Sequence, residues 1–261
     1  MAVHSRTKSK AQALLDRGAT WAASPAEAAA GAEVVFICVT DTPDVREVIS
    51  GKRGILNSAR PELVVVDHST ISPSATREMA AELARRGTVM LDAPVSGGDV
   101  GARNATLSIM VGGDKSAYER VLPLLKLMGK TTTHIGPSGA GQLTKLMNQI
   151  LVSVTNLAVC EAITFAQKNG LDAQAALAAV SGGAAASWQL SNLGPKMLSA
   201  DFAPGFMVDL QQKDLRLVLE AATEAGMSPQ AVQLAHALFA KAQQNGWGRE
   251  GTQALYKVVR G

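Results

Sequence analysis

Lys145 lies behind a run of glycines, in Gly136-Pro-Ser-Gly139-Ala-Gly141-Gln-Leu-Thr-Lys145-Leu-Met-Asn148-Gln149. Leu143, Leu146, Met147, Ile150, Leu151, Val154, Leu157 and Ala158 recur at helical spacing, so one helix is expected to run to about Lys168. On a helix Asn148, at i+3, and Gln149, at i+4, share a face with Lys145. An ammonium there can give a proton to a forming alkoxide and take one back, and an amide can hold a hydroxyl or carbonyl oxygen. Such a lysine is expected to titrate below the ordinary value of about 10.4 once desolvated. By periodicity alone Lys145 is an ordinary exposed lysine. The glycines argue otherwise. Gly139 and Gly141 each weaken a helix by roughly 1 kcal/mol relative to Ala, and they are explained if backbone or ligand approaches closely there.

A second group follows a strand-like run: Asp92-Ala-Pro-Val-Ser96-Gly97-Gly98. Three small residues expose backbone N–H groups and a hydroxyl, a nest suited to a carboxylate or else an ordinary strand-to-loop turn. Asp67-His-Ser-Thr70 and Val39-Thr40-Asp41 also end strand-like runs, where open α/β sheets bind ligands. Arg6, in Ser5-Arg6-Thr7-Lys8, is a forked donor suited to phosphate or a solvated turn residue. Cys38 and Cys160 sit in apolar runs and are read as small buried residues. His4, His134 and His236 show no metal-ligand spacing, and His68 reads as a loop imidazole.

The elements that would position these groups alternate at first. Met1–Ser5, Thr20–Ala22, Glu33–Val39, Leu63–Asp67, Thr88–Leu91, Thr106–Val111 and Thr131–Ile135 read as strands, with Glu33–Val39 buried on both faces. Helices are expected at Ser9–Gly18, on an Ala11, Leu14, Leu15 stripe, from Ser24-Pro25, at Asp44–Ile49, at Ser74–Arg86 and from Lys115 to Met128. The alternation argues for a parallel α/β sheet. After Gly136 the pattern is helical only, with further helices at Ala173–Ser181, Gln212–Ala225 and Pro229–Asn245. The fold class is therefore α/β, a parallel-sheet domain over residues 1–135 followed by an all-α domain over 136–261.

The net charge of +3 is small and scattered, which argues against nucleic-acid binding. The first ten residues are polar and basic with no apolar core, unlike a signal peptide. The apolar segment Ile150–Val159 is interrupted by Ser153, Thr155 and Asn156 and reads as too short to span a bilayer. A soluble, cytoplasmic protein with no membrane association is expected.

Taken together, Gly-x-x-Gly-x-Gly-x-x-x-Lys-x-x-Asn and the complete Asp92 to Gly98 stretch resemble the β-hydroxyacid dehydrogenases, the family of 3-hydroxyisobutyrate dehydrogenase and tartronate semialdehyde reductase. The resemblance covers nearly the whole chain, to about Tyr256. It implies hydride transfer between NADP(H), or NAD(H), and a short β-hydroxyacid or its semialdehyde. Lys145 would then be the catalytic acid/base, with Asn148 or Gln149 as the amide beside it. Ser96, Gly97 and Gly98 would grip the substrate acid group. Thr70 would contact the cofactor near its nicotinamide, with Val39 and Thr40 lining the same cleft. Arg6 would accompany the 2′-phosphate of NADP. Phe206 precedes the Lys213-Asp214-Leu215 signature, whose lysine would reach the cofactor. Trp188 would wall the substrate pocket or fill the core. A homo-oligomer, dimer or tetramer, is expected.

The glycine-rich turn that follows the first strand of a dinucleotide-binding fold is missing. Aligned on the family, Met1–Ser5 matches the second strand of the usual order, and loss of the first would separate it from the rest of the sheet. A truncated reading of a longer enzyme is one expectation from this; a non-catalytic oligomerising scaffold is the alternative.

Overall fold

The computed structural model describes residues 1–261. The chain forms two compact units: Met1–Gly97 with Gly101–Lys145, and Gly98–Val100 with Leu146–Gly261.

The first unit holds eight strands, β1 (Ala2–Val3), β2 (Thr20–Trp21), β3 (Val34–Ile37), β4 (Val64–Asp67), β5 (Val89–Asp92), β6 (Val95–Ser96), β7 (Leu107–Gly112) and β8 (Gly129–Gly136). Its helices are α1 (Gln12–Leu15), α2 (Pro25–Ala29), α3 (Thr42–Ser50), α4 (Pro73–Ala84) and α6 (Lys115–Leu125); the short α5 (Gly98–Arg103) begins on residues of the second unit. The starts follow local chemistry. Ser24, Ser72 and Asp114 each accept a backbone N–H from the first turn of α2, α4 and α6, and Pro25 and Pro73 occupy first-turn positions.

Strands β3, β4 and β5 pair in parallel, with Ile37, Asp67 and Asp92 in register at their carboxyl ends. This is the parallel sheet the alternation implies. Its far side is reversed. β5 and β6, separated only by Ala93 and Pro94, both pair antiparallel with β7, and β8 runs parallel to β7. The pleat divides the core: Val65 packs with Ile49, Met79 and Leu83, while Val64 and Val66 pack with Ile109, Val121 and Leu125.

β1 and β2 pair only with each other and form a separate two-stranded sheet. β3 is consequently an edge strand. The expectation that it is buried on both faces is corrected: only Ile37 is buried and Phe36 is 42% exposed, because one edge has no neighbour. Cys38, just after it, is exposed rather than buried. Of the Ala11, Leu14, Leu15 stripe, Ala11 is buried and Leu15 half-buried, while Leu14 is exposed.

The second unit is helical. α7 (Ala140–Lys168) starts in the first unit and continues here. It is followed by α8 (Ala173–Ser181), α9 (Trp188–Leu198), α10 (Val208–Glu224), α11 (Gln230–Gln244) and α12 (Leu255–Arg260). Cys160, Ile163, Leu190, Met197, Leu215, Val218 and Phe239 are central to its core. Burial pushes the Cys160 thiol well above its ordinary value, which leaves it an inert apolar filler. α7 is long and apolar enough, by length and composition, to cross a membrane, contrary to the sequence reading; half of its most apolar window is buried inside the protein. β6, α5, α9 and α12 were not foreseen, being short or broken by Gly and Pro.

Candidate active site

Asp92 organises the first unit's site. Its carboxylate, fully buried at the end of β5, accepts the Gly139 amide on Oδ1 at 2.8 Å and the Gln142 amide on Oδ2 at 2.9 Å. It therefore caps the amino end of α7, where orphan N–H groups and the helix dipole favour a negative charge. Burial pushes its carboxyl group above the usual range, and these backbone bonds pull it back. The glycines answer to this contact. A Cβ on Gly141 would come within 2.5 Å of the Asp92 and Met110 carbonyl oxygens, and Gly139 has a φ of +89°. Close backbone approach, one of the two reasons the sequence offered, is thus the reason Gly141 is a glycine.

One turn along, buried Gln142 accepts the Ile71 amide at 3.1 Å and donates to the Ser69 carbonyl oxygen at 2.8 Å. The Ser69 hydroxyl accepts the Val39 amide at 2.9 Å. Thr70 lies between the two residues that Gln142 clamps, and Val39 is tied to the same loop. Lys145, at i+3 from Gln142, is 7% exposed, so it is not the outward lysine that periodicity alone suggests. Ser96 ends β6 in a half-buried position, and Gly97 and Gly98 take φ values of +132° and +63°, a backbone that side-chain-bearing residues rarely adopt. Thr40 is exposed beyond β3, and Arg6 pairs with Asp44 at 2.9 Å while remaining largely in solvent.

His68 completes the loop after β4. Its Nδ1 donates to the Ala93 carbonyl oxygen at 2.6 Å, which leaves Nε2 a buried acceptor without a partner, and the ring stacks on Phe36. Burial lowers its pKa from 6.5, partly opposed by the Ala93 bond. The unfolded chain therefore takes up this proton first as pH falls, so His68's contribution to stability is present above pH 6.5 and lost as pH drops through the lower folded value. Urea midpoints measured from pH 7.5 to 5 should fall with acidification, and His68→Gln should flatten that slope; an unchanged slope would exclude His68 as its source.

In the second unit the two amides take different positions. Gln149 is buried with both ends engaged: Oε1 accepts from Asn148 Nδ2 at 2.7 Å, and Nε2 donates to Asp214 Oδ2 at 2.6 Å. Asn148 is half-buried. Lys213 Nζ lies 2.8 Å from Asp214 Oδ1, with 13% of its side chain exposed. Phe206 is half-buried before α10, and its carbonyl oxygen accepts the Thr252 amide. A Cβ on Gly98 would sit 3.4 Å from the Gly205 carbonyl oxygen. Trp188 opens α9 and is 63% exposed, which removes the core alternative.

Sequence reasoning missed Gln142, the capping role of Asp92 and the Asp214 anchor. The glycines facing Asp92 carried a signal for the second; nothing local marks the other two.

A partly parallel sheet with loops at its strand ends, followed along the chain by a helix that opens on a buried lysine and by a helical unit, is the arrangement that two nicotinamide-dependent oxidoreductase family models match. Residues 1–136 match the family model described as the NAD binding domain of 6-phosphogluconate dehydrogenase, and residues 139–259 that described as NAD-binding of NADP-dependent 3-hydroxyisobutyrate dehydrogenase. The chain is 39% identical to 2-hydroxy-3-oxopropionate reductase of Escherichia coli over 95% of its own length and 85% of the relative's. It is 48% identical to the uncharacterized oxidoreductase slr0229 of Synechocystis, covering 91% and 81%. The solved 3-hydroxyisobutyrate dehydrogenase of Mycobacterium tuberculosis, in a structure with L-serine, superposes with a TM-score of 0.90 at 32% identity, covering 98% of this chain and 89% of that one. The chain belongs to the β-hydroxyacid dehydrogenase family and is an NAD(P)-dependent hydroxyacid dehydrogenase. For the cofactor, the strand-end loops and the unpartnered His68 Nε2 fit a bound group on the β3 and β4 side.

Proposed function

We propose that the protein interconverts a short β-hydroxyacid and its semialdehyde with NADP(H), with Lys145 as general acid/base. The observation that carries this is the burial of an ammonium side chain on the second turn of α7, held by the Asp92 cap. The nicotinamide, when bound, supplies or accepts the hydride. Lys145 gives a proton to the substrate oxygen during reduction and removes it during oxidation. Asn148 holds a hydroxyl or carbonyl oxygen of the substrate, and Ser96 with the Gly97 and Gly98 amides receives the substrate carboxylate, fixing the reacting carbon. Gln149, tied at both ends, serves the site by holding Asn148. Trp188 walls the substrate. Val39, Thr40, Thr70, Phe206 and Lys213 line the cofactor. Arg6 takes the 2′-phosphate in exchange for Asp44, which supports NADP over NAD.

The similarity to 2-hydroxy-3-oxopropionate reductase favours that semialdehyde as substrate. Oxidation of NADPH by the purified chain with 2-hydroxy-3-oxopropionate, compared with NADH and with 3-hydroxyisobutyrate in the reverse direction, tests the reading. Turnover several-fold faster with NADPH is expected. No turnover with any hydroxyacid pair would leave the scaffold reading standing.

A homo-oligomer is part of this proposal. Met147, Leu151 and Phe165, with Ala158 and Ala162 between them, form an exposed apolar stripe on α7, which supports packing against a second copy. Light scattering should show at least a dimer, and Met147→Glu with Leu151→Glu should convert it to monomer. An unchanged mass would sink this interface.

A further inference from the structure

The chain of polar groups from α10 to α7 has a direction. Asp214 is buried, and its carboxylate, paired with Lys213, can only accept hydrogen bonds. Gln149 must therefore turn its NH2 group to Asp214, as the 2.6 Å contact shows, and its carbonyl oxygen the other way. That oxygen can only accept, so Asn148 must turn its own NH2 group toward it, at 2.7 Å. The Asn148 carbonyl oxygen Oδ1 is thereby left on the side of the amide away from Gln149. An amide's two ends are nearly isosteric, so without the carboxylate at the far end each could flip.

We propose that Asp214 is a positioning residue that acts through Gln149 to hold the Asn148 amide with Oδ1, an acceptor, toward the substrate. This rests on the proposed substrate-holding role of Asn148. The consequence is selectivity for a donor: Asn148 meets a substrate hydroxyl other than the one that exchanges its proton with Lys145, since that one becomes a carbonyl oxygen with no proton to give.

The test uses the full chain and three variants: Gln149→Glu, Asp214→Asn and the double exchange. Gln149→Glu sets a second carboxylate against that of Asp214, and kcat in hydroxyacid oxidation should fall by about 100-fold, the scale expected when a reacting group is misplaced. Asp214→Asn alone allows Gln149 either direction, and kcat should fall less, by about tenfold. In the double exchange, the carboxylate introduced at position 149 accepts from Asn148 and from the amide introduced at position 214, whose oxygen still faces Lys213. The direction of the chain is restored, and kcat should return to within about tenfold of the parent protein. Cofactor KM, measured alongside, separates any effect passed through Lys213. Thermal midpoints and the side-chain amide NMR signals of Asn148 give a readout that needs no turnover. The signals should shift in Gln149→Glu and return toward their original positions in the double exchange. Signals insensitive to all three substitutions would overturn the proposal, as would a folded double exchange no more active than Gln149→Glu. Restored signals in a protein that turns over no hydroxyacid would uphold the positioning and reject the substrate reading instead.

Discussion

Lys145→Ala is expected to lower kcat for hydroxyacid oxidation and semialdehyde reduction by at least about 100-fold, the scale of a lost general acid/base. The side chain is buried on the second turn of α7, so its removal takes the proton donor out of the site. Binding of the cofactor, followed by Trp fluorescence, should change little, because Gln142 and Ser69 still hold the strand-end loops. Lys145→Arg is the sharper variant. It keeps the charge but offers a guanidinium that does not deprotonate near neutral pH, so it should be nearly as inactive as the alanine. An arginine variant with parental kcat would mean that the charge, and not proton transfer, is what the site needs. Unchanged turnover in the alanine variant would remove the mechanism.

Asp92→Ala should be the most damaging single change to stability. It strips the acceptor from the Gly139 and Gln142 amides at the buried start of α7. Each orphaned amide costs about 1–3 kcal/mol, and release of a desolvated carboxylate returns part of that, so a net loss of about 2–4 kcal/mol is expected. A domain has only about 5–15 kcal/mol in hand. The urea midpoint should drop accordingly, read by circular dichroism at 222 nm. Activity should fall as well, since frayed first turns of α7 release both the Gln142 clamp and Lys145. Asp92→Asn, which keeps one acceptor oxygen, should lie between the parent and the alanine variant. A midpoint within experimental error of the parent for Asp92→Ala would show that water or a shifted neighbour satisfies these amides.

Much of this was legible in the residues. The apolar runs at Val34–Ile37, Val64–Asp67 and Val89–Asp92 became strands, the apolar recurrence after Gly136 became α7 as far as Lys168, and Ala173–Ser181 became α8 without change of bounds. The helix start at Ser24 followed from a hydroxyl placed before a proline. These are properties of neighbours in the chain: periodicity, caps and turn residues act over a few positions, and a reader of the sequence has all the interacting partners in view. The setting of Lys145 was legible for the same reason, since Gly139, Gly141, Asn148 and Gln149 lie within a few residues of it along the chain.

Tertiary structure decided the rest. Val35 and Phe36 look as apolar as Val65 and Val66, yet Phe36 stands exposed because β3 lies at the sheet's edge. The reversal at β7 turns on Ala93 and Pro94 interrupting a strand, which an apolar run does not announce. Gln142 and Ser69 are 73 residues apart, and Gln149 and Asp214 are 65 apart. Each of these amides is ordinary among its neighbours, and its role comes from a partner whose distance the local pattern does not encode. The composition and order of the elements therefore follow from short-range chemistry. Which of two adjacent amides is tied and which faces outward follows only from the packing of α10 against α7 within the helical unit, because hydrogen-bond direction is imposed by the partner and not by the residue.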